Sequence, residues 1–238
     1  PLASGIPLVP DRAAARSQLG LAPDDTVLAV LPGSRSAEVQ YIAPAFFQAA
    51  ALIQQALPAI KLVVPAVPAL QQRIAEVARD CGVAHRLQIV TGQSHTVLAA
   101  CDATLIASGT ATLEAALFKR PMVIAYAMPG FSYRLMAAKR QLPCIGLPNV
   151  LCAPRGWLHR PASVAPHDWA DRPGAPFVVP ELIQHAATPD ALARAVLDWL
   201  AAPEKIAAVQ QRFTALHHEL QRDTAQLATD AIETLLAR

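Results

Sequence analysis

Ser108-Gly109-Thr110-Ala111-Thr112-Leu113-Glu114 is the stretch whose reading decides the fold. The apolar run 103–107 before it reads as a buried strand, and the Ala-rich segment 110–118 after it reads as a helix. A strand feeding a glycine turn and then a helix gathers free backbone N–H groups and the positive helix end at one point. That is an anion site. Glu114 falls in the first turns of the helix, where a carboxylate can accept hydrogen bonds from sugar hydroxyls. The plainer alternative is a helix start with Glu114 merely solvated, and the apolar character of the helix argues against it.

A second strand-turn-helix lies upstream: 27–31, then Pro32-Gly33-Ser34-Arg35, then Ser36-Ala37-Glu38. Gly33 would let a phosphate approach the backbone. Arg35 would pair with it through a planar fork of donors. The turn is neither a Walker A loop nor G-x-G-x-x-G, and an ordinary turn with a solvated Arg is its alternative. Two such turns, one carrying an Arg, suggest a nucleotide diphosphate rather than a lone phosphate.

Working outward, strands are expected at 27–31, 61–64, 87–90, 103–107, 122–125 and 144–146. Helices are expected at 36–57 (broken at Pro44), 70–81, 95–100, 110–118 and 131–139. The alternation of continuous apolar strands with helices predicts an α/β fold, a Rossmann-like parallel sheet with helices on both faces. Ligands on such sheets bind at the carboxyl ends of the strands, where both glycine turns fall. Residues 1–26 form a Pro-rich lead-in with a helix over 11–19, and Asp11 is its expected N-cap. Residues 27–187 form the α/β core, and 188–238 carry three amphipathic C-terminal helices.

Within the core, 152–177 reads as a long Pro-rich surface insertion. It holds Trp157 beside Leu158, His159 and Arg160, with Trp169 further on. Aromatic and basic residues together suit a membrane–water boundary. Phe131, Tyr133, Arg134, Lys139 and Arg140 would make a second such patch. A loop folding back on its own domain is the alternative. Asn149, in Leu147-Pro148-Asn149, follows an expected strand end and could reach the crevice, unless it is simply a turn residue. Glu181 and Gln184 share one face if a helix starts at Pro180. Their alternative is a helix-start carboxylate with a solvated neighbour.

Composition narrows the classes further. The chain has 238 residues, 53% of them apolar, and a formal charge of +2. It carries no long Lys/Arg run, so nucleic acid is not an expected partner. No apolar run reaches the roughly 18 residues of a membrane span. No signal peptide opens the chain, and Pro1-Leu2-Ala3-Ser4-Gly5 reads as the interior of a longer protein. Cys81, Cys101, Cys144 and Cys152 make no metal-spaced pattern and read as small core residues of a reducing compartment. The adjacent His217 and His218 read as solvated helix residues. With no H-E-x-x-H and no Asp-x-Asp, neither a metal nor a cofactor is expected. The absence of G-x-S-x-G argues against a serine hydrolase elbow.

Jointly the motifs resemble the lipid-A-disaccharide synthases, glycosyltransferases of the two-domain GT-B architecture. The matching pieces are Ile6-Pro7-Leu8, Leu31-Pro32-Gly33-Ser34-Arg35 with Glu38-Val39, Val63-Val64-Pro65, Ala107 to Glu114, Pro121-Met122-Val123, Leu147-Pro148-Asn149 and Pro180 to Gln184. They stand in the family's order over nearly the whole chain. The resemblance covers one half of a GT-B fold, the C-terminal UDP-sugar-binding domain over 1–238, with the N-terminal acceptor domain absent.

The resemblance implies transfer of 2,3-diacylglucosamine from its UDP donor to 2,3-diacylglucosamine 1-phosphate. It also implies a place on the cytoplasmic face of a Gram-negative inner membrane, and it leaves room for a homo-oligomer. Donor-binding residues would be Gly33, Ser34, Arg35, Ser108, Gly109, Thr110, Glu114, Asn149, Glu181 and Gln184. No catalytic base is assigned in this chain. Two rivals stand beside this expectation: a non-catalytic UDP-sugar-binding module, and another GT-B enzyme such as a UDP-GlcNAc-using transferase or an epimerase.

Overall fold

The computed structural model describes residues 2–129, 144–154, 177–222 and 224–236. The expected helix over 131–139 and nearly all of the 152–177 insertion lie outside the described residues. Six strands form one sheet: β1 (Val27–Leu31), β2 (Lys61–Ala66), β3 (Leu87–Thr91), β4 (Ala103–Ala107), β5 (Met122–Tyr126) and β6 (Glu181–Ile183). All five pairings are parallel, in the order β3-β2-β1-β4-β5-β6. Leu28 pairs with Leu62 on one side and Ala103 on the other. The central strands β1 and β4 are buried along their whole length. That is why they read as unbroken apolar runs rather than alternating ones.

The helices are α1 (Leu2–Gly5), α2 (Arg12–Gln18), α3 (Ser36–Ala56), α4 (Gln71–Asp80), α5 (Ser94–Ala100), α6 (Thr110–Leu117), α7 (Leu147–Cys152), α8 (Pro189–Leu200), α9 (Pro203–Leu220) and α10 (Thr224–Leu236). One face of the sheet carries α3, with α4 and α8 packed against it. The other carries α5 and α6, covered by α2 and α9 respectively. Asp11 caps α2 by accepting from Ala14 N at 2.9 Å. Thr188 caps α8 in the same way, ahead of Pro189.

Four expectations are corrected. Helix α3 runs through Pro44 without stopping. A proline there costs about 3 kcal/mol, but Ile42, Ala43, Phe46 and Phe47 around it are buried under the sheet, and their burial outweighs that cost. The segment 144–146 is not a strand. Its N–H groups at Ile145 and Gly146 donate to the Glu181 carboxylate instead of to a ladder. Pro180 opens no helix: Ile124 N donates to Pro180 O, and the next three residues pair with β5 as β6. His217 is fully buried rather than solvated, although its neighbour His218 is exposed. All four cysteines are free; three are buried and Cys81 is half-buried.

His217 sits in a short polar chain at the amino-end side of the sheet. Lys119 Nζ lies 2.7 Å from its Nδ1, and its Nε2 lies 2.8 Å from Ala3 O of α1. Nε2–H therefore donates to the carbonyl, and Nδ1 accepts from the ammonium. Burial, helped by the neighbouring Arg120 charge, pushes the Lys119 ammonium down to about 8. Lys119 also ends α6. With φ 58° it takes the left-handed position after the helix. Lys119 N donates to Ala116 O, and Arg120 N to Ala115 O. This is a Schellman closure with lysine where glycine is usual.

Candidate functional site

Strand β1 is flanked by β2 on one side and β4 on the other, so the chain direction across the sheet reverses between β1 and β4. In open α/β sheets a crevice forms at this switch point, beyond the carboxyl ends of the strands. Such a cavity, of about 380 Å³, lies there. Its walls include Gly33, Ser34 and Arg35 from the turn after β1, Glu38 of α3, Pro65 and Val67 at the end of β2, Ser94 of α5, and Ser108 to Ala111 with Glu114 after β4. The structure thus brings together seven of the ten expected residues: Gly33, Ser34, Arg35, Ser108, Gly109, Thr110 and Glu114.

Around Gly109 the wall is open. No side chain caps the α6 N-terminus, and a Cβ built on Gly109 meets nothing within 4 Å. Among the described residues, the N–H groups of Gly109, Thr110 and Ala111 have no hydrogen-bond acceptor. Three orphan donors and the positive helix end therefore face the cavity together. The turn is braced from behind. Ser108 N donates to Ala125 O, Ser108 Oγ donates to Ile145 O at 3.4 Å, and Thr112 Oγ1 donates to Gly109 O at 2.7 Å. Glu114 lies one turn into α6, with Oε2 3.7 Å from His95 Nε2. The His95 ring packs on Phe118 with centroids 5.2 Å apart.

The turn after β1 is filled by its own helix. The Glu38 carboxylate accepts from Ser34 N at 3.0 Å, from Arg35 N at 3.3 Å and from Arg35 Nη1 at 2.6 Å. Gly33 has φ 109°, and a Cβ there would stand 2.5 Å from Glu38 Oε2. Its lack of a side chain therefore admits Glu38 in this structure. Sequence reasoning left Glu38 out of the site, although a Glu three residues after a helix cap is a known signal for this closure.

Asn149, Glu181 and Gln184 do not line the cavity. Glu181 is buried and accepts from Ile145 N at 2.8 Å, Gly146 N at 2.9 Å and Asn149 Nδ2 at 2.8 Å. Asn149, also buried, donates from Nδ2 to Val179 O as well and accepts at Oδ1 from Val178 N and Val179 N. Gln184 clasps the Met128 backbone through both amide atoms. A buried carboxylate or amide is tolerated only when its hydrogen-bonding capacity is used in this way. The three residues fasten β6 and α7 beside β5, and through Ile145 they abut Ser108. Among the described residues no cluster of His, Cys, Asp and Glu could hold a metal ion.

A parallel sheet in this order, with a helix N-terminus open at its switch point, is the fold of one half of the GT-B glycosyltransferases. The chain aligns with WaaG, a glycosyltransferase involved in lipopolysaccharide biosynthesis, at TM-score 0.53 and 15% identity, over 92% of this chain and 49% of that one. It aligns with the pneumococcal O-GlcNAc transferase GtfA, solved with UDP and GlcNAc, at TM-score 0.53 and 10% identity, over 91% and 37%. At such identities the likeness concerns the fold alone.

The chain belongs to the lipid-A-disaccharide synthetase family, whose model matches residues 1–155. The lipid-A-disaccharide synthase of Verminephrobacter eiseniae is 56% identical to it over 241 residues, covering 100% of this chain and 56% of that protein. That of Albidiferax ferrireducens is 57% identical over 240 residues. The chain spans about half the length of these curated relatives.

Proposed function

We propose that this chain is the donor-binding half of a lipid-A-disaccharide synthase, and that it holds the UDP of UDP-2,3-diacylglucosamine in the cavity between β1 and β4. The observation that carries the reading is the open α6 N-terminus, whose three orphan amides share one wall with Arg35 and Glu114. The diphosphate would sit on those amides, with Arg35 closing from the opposite turn. Glu114 would accept from the ribose hydroxyls. Asn149, Glu181 and Gln184 would act at one remove, by fixing the segment behind Ser108.

In the whole enzyme the 6-hydroxyl of 2,3-diacylglucosamine 1-phosphate would displace UDP with inversion, giving a β-1,6 disaccharide phosphate. Negative charge grows on the departing diphosphate. Fixed amides and Arg35 can meet that charge without a metal ion. The base that deprotonates the acceptor would come from the N-terminal acceptor domain, which also completes the cleft. Because the acceptor and product are lipids, the enzyme would work at the cytoplasmic surface of the inner membrane. No described helix is long and apolar enough to cross that membrane.

Calorimetry tests the donor site. The chain should bind UDP equally with and without EDTA. Glu114→Gln should weaken UDP more than inorganic diphosphate, since only UDP carries the ribose. Equal weakening would remove Glu114 from the ribose, and no UDP binding would end the donor-site reading. The chain alone should turn over neither lipid substrate, and turnover should appear when the N-terminal half is supplied.

A further inference from the structure

We propose that Glu38 is an internal counter-anion of the Pro32–Arg35 turn, and that a bound diphosphate must take the Arg35 guanidinium away from this carboxylate. The proposal rests on the donor-site reading above. Glu38 engages the same three donors that the sequence assigns to an anionic ligand: two successive backbone N–H groups and the Arg35 guanidinium. Among the described residues, the charged ones lining the cavity are Arg35, Glu38 and Glu114, one cation against two carboxylates. With Arg35 tied to Glu38, that wall offers a dianionic group no free positive side chain among the described residues. A diphosphate is accommodated only if the guanidinium changes partner.

The two side chains differ in their freedom to move. Arg35 is 78% exposed and Glu38 15%. Glu38 is wedged over Gly33, where no Cβ stands in its way. The exposed arginine can rotate toward a ligand, while the carboxylate stays in place and repels it. A simple bracing role for Glu38, as the side chain that caps the first turn of α3, makes the opposite prediction about ligand affinity.

Glu38→Gln separates the two. The amide oxygen still accepts from Ser34 N and Arg35 N, so the turn keeps its brace while the charge is lost. UDP and inorganic diphosphate should bind about three- to tenfold tighter to Glu38→Gln than to the parent, as expected for removing one nearby like charge. Uridine should bind equally to both, and the gain should shrink as salt is raised.

Unchanged or weaker diphosphate binding by a folded Glu38→Gln would overturn the proposal and leave Glu38 as a brace. Should the variant not fold, the parent answers: saturating inorganic diphosphate should shift the Ser34 and Arg35 amide resonances, and uridine should not. Unmoved amides in a protein that binds UDP would overturn the proposal while sparing the donor site. A parent that binds neither UDP nor diphosphate would overturn both.

Discussion

The turns after β1 and β4 lie side by side at the carboxyl edge of the sheet, and each carries a glycine ahead of a helix. Around Gly33 the space and the donors are taken by Glu38 from the following helix. A Cβ built on Gly109 would meet nothing within 4 Å, and the first amides of α6 are left to whatever enters the cavity. One turn is closed by its own sequence and the other is held open from behind by Ser108 and Thr112. Similar backbone motifs would thus have different roles under the proposed function: the open turn would supply fixed donors, and the closed turn a cation that must be released.

The contrast makes the open turn the stronger anchor. Thr110→Pro removes one donor at the first position of α6, where proline is compatible with a helix. UDP affinity should fall by about 1.5–3 kcal/mol, the scale of a hydrogen bond to a charged group, while the melting temperature barely moves. Gly33→Ala should instead strike folding. Its methyl would meet Glu38 at a left-handed φ, and denaturant unfolding should show a loss of about 1–3 kcal/mol. Part of that loss should be recovered in a Glu38→Ala background.

Arg35→Ala should weaken UDP by only about 0.5–1.5 kcal/mol, because its bond to the ligand replaces one to Glu38. A larger loss from Arg35→Ala than from Thr110→Pro, read by calorimetry, would reverse the ranking of the two turns.

The smallest effect belongs to the far end of α6. The Lys119 ammonium is held at about 8, below its ordinary 10.5. The unfolded chain therefore binds the proton more tightly, and stability should rise with pH as the folded lysine loses it. Between pH 7 and 8, below the ordinary thiol pKa of about 8.5, chemical denaturation should show this upward slope. Lys119→Met should flatten it without changing UDP affinity.

Much of this architecture was legible from residue order. Unbroken apolar runs at 27–31 and 103–107 declare strands buried on both faces, and the glycine turns behind them declare the carboxyl-edge crevice. What escaped is non-local. Glu181 finds its donors at 145, 146 and 149, across a long Pro-rich stretch, so its role cannot be read from its neighbours. Pro180-Glu181 carries the marks of a helix start, a proline and an early acid, but pairing with β5 overrides that local preference. His217 looks solvated on its own helix and is buried only because Lys119 and Ala3 converge on it. Glu38 was legible in principle, because its spacing from Arg35 is short. Its proposed competition with a ligand rests on the cavity, which the spacing alone does not reveal.

The chain through His217 also gives the domain a mechanical connection. Its imidazole grips the backbone of α1 with one nitrogen and the end of α6 with the other. The leading segment is thereby fastened to the end of the very helix whose opposite end opens on the cavity. Since α6 is eight residues long, or about 12 Å at 1.5 Å per residue, that fastening and the cavity wall stand only about one helix length apart.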